Sequence, residues 1–81
     1  MGYIVKEENL QSSAVKRRGP FVTEQEARMV LANAVEQAYD FNPQLATANV
    51  RQEVEDAVRD GRKDCLDVKG NLVCRYTIEQ E

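Results

Sequence analysis

Asp64-Cys65-Leu66-Asp67-Val68-Lys69-Gly70-Asn71-Leu72-Val73-Cys74-Arg75-Tyr76-Thr77-Ile78 is the stretch on which the fold turns. Its centre, Asp67-Val68-Lys69-Gly70, has Asp first and Gly fourth, as a type I turn favours. The glycine then takes the left-handed conformation of a G1 bulge and closes a three-residue hairpin loop. In that register Asp67 pairs with Asn71, and Leu66 lies opposite Leu72. A competing two-residue turn, centred on Lys69-Gly70, would pair Cys65 with Cys74.

Side chains in a strand alternate with period two, so Leu72, Cys74, Tyr76 and Ile78 share a face. The bulged register sets Leu66 and Val68 on that same face, whereas the two-residue turn sets them on the other. A one-residue slip turns a buried apolar set outward and is costly. The bulged register is therefore preferred. It places Cys74 in the core and Cys65 on the opposite side, as two reduced thiols. A cross-strand disulfide belongs to the rejected register.

Two helices precede the hairpin. Thr23 is a good N-cap, with Glu26 completing a capping box and Val22 and Ala27 placed as a hydrophobic staple. Asn42-Pro43 ends this helix, because a residue before proline avoids the helical region. At about 100° per residue, Ala27, Val30, Leu31, Ala34, Val35, Ala38 and Phe41 form one apolar arc, widened by Ala32 and Tyr39. The second helix starts at Pro43 or Val50. Leu45 falls off the stripe of Val50, Val54, Ala57 and Val58, which favours a short turn at 43–47 and a main helix capped by Asn49 and Gly61. Tyr3-Ile4-Val5 is a candidate third strand. Residues 6–20 are mostly polar, contain Ser12-Ser13 and Gly19-Pro20, and read as a loop or arm.

The fold class is thus α+β, with two helices packed on a C-terminal antiparallel hairpin in a winged-helix-like element order. Residues 1–20 form a strand and basic arm, and residues 21–81 a single small domain. The expected core is Val30, Leu31, Ala34, Val35, Ala38, Val50, Val54, Val58, Leu66, Leu72, Cys74, Tyr76 and Ile78.

Composition narrows the function. A hydrophobic content of 42 % with 31 % charged residues suits a folded domain over a disordered chain. Without histidine, Ser-His-Asp and Cys-His sites are excluded, and two cysteines alone do not make a usual structural zinc site. There is no phosphate-binding glycine loop, and Glu53, Asp56 and Asp60 read as a solvated helix face. The expectation is a protein that is not an enzyme and needs no cofactor. No apolar run approaches the ~20 residues of a membrane span, and the N-terminal segment lacks a signal-peptide pattern. A cytoplasmic location is the default.

The net charge of −3 is uneven: +2 over residues 1–20, −5 over 21–61 and zero over 62–81. The leading functional expectation is a small binding module acting through protein–protein contact or self-association as a homodimer. Tyr39, which widens the arc, and Met29, which projects near Glu36 on the polar side, are its candidate contacts. The alternative is a winged-helix-like DNA-binding regulator, with 49–60 as recognition helix and 63–78 as wing. That reading needs Arg17, Arg18, Arg51 and Arg62 to converge on one face, with Lys16 of the arm as a further nucleic-acid candidate. Acidic neighbours Glu53, Glu55, Asp56 and Asp60 would keep any such nucleic-acid binding weak.

Overall fold

The computed structural model describes residues 2–81 and contains six elements. They are β1 (Tyr3–Asn9), β2 (Ala14–Phe21), α1 (Glu24–Phe41), α2 (Val50–Asp60), β3 (Arg62–Leu66) and β4 (Leu72–Gln80). The C-terminal turn forms as its residues dictate. Gly70 stands at φ 85°. Its N–H donates to the Asp67 carbonyl, and the Asp67 N–H donates to the Asn71 carbonyl. The Asp67 carboxylate accepts from the backbone N–H groups of Lys69 and Asn71, each at 2.9 Å. The Asn71 bond is the main reason that its carboxyl titrates below the usual carboxylate range.

Leu66 lies opposite Leu72, but one residue further the register shifts and Cys65 pairs with Cys74. Val73 is the extra residue, so two residues of β4 oppose one of β3. The bulge turns Val73 and Cys74 inward together, at 1 % and 6 % exposure, against a Cys65 that is fully covered. It also reverses the alternation. Leu66, expected in the core, and Val68, expected on the same face, are 42 % and 81 % exposed, and Cys65, expected on the far side, is in the core. The period-two alternation does not survive the bulge.

The sheet has four antiparallel strands in the order β2-β1-β4-β3, not a hairpin with one added strand. Tyr3-Ile4-Val5 opens a longer β1 that occupies an inner position. The segment read as a loop or arm is the rest of β1, a turn at residues 10–13, and β2. Asn9 shapes that turn by accepting from the N–H groups of Gln11 and Ser12. Ala14 to Pro20 are all exposed, so pairing with β1, not burial, holds β2 in place. A strand of this kind carries no apolar alternation to read. Near its end, β2 bulges between Arg18 and Phe21. Gly19 sits there at φ 121°, where a Cβ would lie 2.8 Å from the Tyr3 carbonyl oxygen. Only glycine fits.

Both helices cover one face of the sheet. The Thr23 hydroxyl accepts from the Glu26 N–H and starts α1. Val22 is 80 % exposed, so the expected staple with Ala27 is not made. Asn49 caps α2 by accepting from the Gln52 N–H, and Gly61, at φ 68°, closes it. Arg28 of α1 donates to the carbonyls of Val58 and Arg59, satisfying acceptors that a helix end leaves open. The chain itself covers most of the wide arc of α1, but not its C-terminal end, where Phe41 is 79 % exposed. Ala27, Leu31, Ala34, Val35, Ala38 and Tyr39 are buried against α2 and the four-stranded sheet. Val5, Leu45, Ala57, Cys65 and Val73 complete the core. Val30, Val50, Val54 and Ile78 are half-buried around it. The hairpin is not a projecting wing, because β4 is an inner strand of the sheet.

Candidate functional site

One edge of the sheet is open. The other edge, β3, is partly covered, because Leu45 bridges to Asp67 and the Ala46 N–H donates to the Leu66 carbonyl. β2 has β1 on one side only, and it carries Lys16-Arg17-Arg18. Register separates these three cations. Glu7 lies opposite Lys16, and Val5 opposite Arg18, so Lys16 and Arg18 belong to the helix-bearing face. Arg17 lies opposite Lys6 on the other face.

Pairing separates them further. The Arg18 guanidinium meets the Glu7 carboxylate. Of the chain's eleven Lys and Arg residues, only Lys16, Arg17 and Lys69 have no ion pair among the described residues. Two of the three are therefore neighbours on the open edge. Beside them is a hollow of about 200 Å³ lined by Glu7, Glu8, Asn9, Ala14, Lys16 and Tyr76. Burial raises the Tyr76 phenol well above its ordinary pKa, so it stays protonated.

The five nucleic-acid candidates do not gather in one place. Arg17 and Arg62 share a cross-strand row with Lys6 and Thr77 on the helix-free face, at opposite edges of the sheet. Arg62 is drawn to Asp64, which Arg75 also holds, and Lys6 to Glu8 and Glu79, so that face largely neutralises itself. Arg51 is away on α2 beside Glu55.

The two partner-contact candidates also part company. Met29 is 64 % exposed, whereas Tyr39 is 8 % exposed and faces its own chain. The Tyr39 hydroxyl donates to Glu53 Oε2 at 2.5 Å. The same oxygen lies 3.2 Å from Lys63 Nζ. The expectation that Tyr39 offers a contact surface is thus corrected: Tyr39 is buried and bonded to Glu53 of α2, whereas Met29 lies outside the buried arc.

Tyr39, Glu53, Lys63 and Cys65 form a polar cluster that joins α1, α2 and β3, and no sequence spacing reveals it because three elements supply it. Burial raises the Tyr39 phenol, aided by its bond to Glu53, and pushes the Cys65 thiol up to about 11. At neutral pH both are protonated, and the cluster works as a tie between layers. Among the described residues, no helix is long and apolar enough to cross a membrane. No protein-family model, curated protein sequence or solved structure matches this chain.

Proposed function

We propose that this chain is a small non-enzymatic binding module whose partner is another protein, contacted through the β2 edge. The observation behind this reading is an eight-residue edge strand, exposed from Ala14 to Pro20, with Lys16 and Arg17 unpaired among the described residues. A free edge offers backbone donors and acceptors to an incoming extended segment, and the side chains select it. Here they select acidic residues. A second copy is the poorer occupant. In a two-fold antiparallel pairing centred on Arg17, Lys16 would face Arg18, and like charges directly opposite are unfavourable. Basic side chains commonly guard an edge in this way.

The test is fluorescence anisotropy with a labelled peptide of alternating Glu and Thr. Binding should weaken with salt, vanish when alternate peptide amides are N-methylated, and fall at least tenfold in a Lys16→Glu, Arg17→Glu double variant. Absence of binding, or equal binding of a Lys-Thr peptide, overturns the proposal. Tighter binding of duplex DNA, lost in the same double variant, would replace it with the DNA-binding alternative.

A further inference from the structure

The bulge at Val73 sets Cys65 directly across from Cys74 on the covered face of the sheet. Both are free thiols. Residues directly opposite in an antiparallel pair hold their Cα atoms about 4.5–5.5 Å apart. That separation is within the ~4.4–6.8 Å that a disulfide spans. We propose that Cys65 and Cys74 are an oxidative modification site, closing to a reversible intramolecular disulfide by exchange with a small-molecule disulfide of the glutathione class. The inference is independent of the β2 edge.

The exchange has two steps. The Cys74 thiolate attacks one sulfur of oxidised glutathione, forming a mixed disulfide and expelling glutathione thiolate. Cys65 then loses its proton to solvent, and its sulfur attacks Cys74 Sγ, expelling the second glutathione thiolate. Two protein thiols and one glutathione disulfide become one protein disulfide and two glutathione thiols. Cys74 is the entry point because it keeps 6 % exposure, whereas Cys65 has none. A glutathionyl group exceeds that opening, so the first step proceeds as the edge strand β3 parts locally from β4. Burial also raises both thiols above their ordinary range. Exchange is therefore slow at neutral pH and quickens with alkali. The juxtaposition governs the equilibrium more than the rate, since a native register that already aligns the two sulfurs favours the bridge.

The experiment equilibrates the whole chain with reduced and oxidised glutathione, in buffer and in concentrated urea, followed by acid quench and intact-mass measurement. The bridged form is lighter than the reduced form by two hydrogens. The ratio of bridged to reduced chain is expected to be at least tenfold higher in buffer than in urea. An equal or lower ratio overturns the proposal, as does accumulation of the glutathione adduct in buffer. Disulfide-linked dimers as the main native product would also overturn it.

Discussion

Replacing Val73 with alanine removes two methyl groups from a side chain that is 1 % exposed. At about 0.8 kcal/mol per buried carbon, with a further contribution from the space left behind, the cost is about 2 kcal/mol. Leu66→Ala removes three carbons, but from a residue already 42 % exposed, so its cost is about 1.4 kcal/mol. The pair is decisive because simple alternation ranks them the other way, with Leu66 inside and Val73 outside. Urea unfolding followed by far-UV circular dichroism measures both. With a slope of about 1 kcal/mol per molar urea for a small domain, Val73→Ala should lower the midpoint by about 2 M. Leu66→Ala should lower it by less, about 1.4 M. Equal slopes for the three proteins are required for the comparison. A Leu66→Ala cost equal to or above that of Val73→Ala would refute the bulge, and with it the facing cysteines.

Two further outcomes follow from the interior. The reduced chain should lose stability in alkali, because Cys65 titrates at about 11 in the fold and at about 8.5 when unfolded. The raised folded value means that the contribution is complete below about pH 8.5 and falls by up to about 1.4 kcal/mol per pH unit until about pH 11. Urea midpoints across this range should show the decline in the wild type and a shallower one in Cys65→Ala; identical profiles would refute it. Tyr39→Phe removes the hydroxyl that donates to Glu53. A hydrogen bond to a charged acceptor contributes about 1.5–3 kcal/mol, so the same unfolding assay should show a loss of that order, with the mass in light scattering unchanged. A negligible loss accompanied by a changed mass would restore Tyr39 to a surface.

Features that rest on near neighbours were legible in the residues themselves. The caps at Thr23, Asn49 and Gly61 hold because a side chain or a left-handed glycine meets backbone groups within one helical turn. The Asp67–Gly70 turn holds for the same reason. β2 was not legible, since its exposed Lys16, Arg17 and Arg18 report nothing about the partner strand that makes them extended. The candidate site shared that fate. Its cations could be counted in the sequence, but only the fold showed Arg18 and Arg62 tied to carboxylates and Lys16 and Arg17 without a partner among the described residues.

By itself the sequence determined two helices with their ends, a C-terminal hairpin with its turn, an acidic middle and a basic N-terminal stretch. Tertiary structure alone decided which way the hairpin's side chains point. β4 pairs with β1 as well as β3. Its far half must present Cys74, Tyr76 and Ile78 to the helices, whatever parity the turn imposes on Leu66 and Leu72. One extra residue, Val73, reconciles the two demands. Turn geometry acts over four residues, whereas the side on which a strand is buried depends on helices packed from tens of residues away.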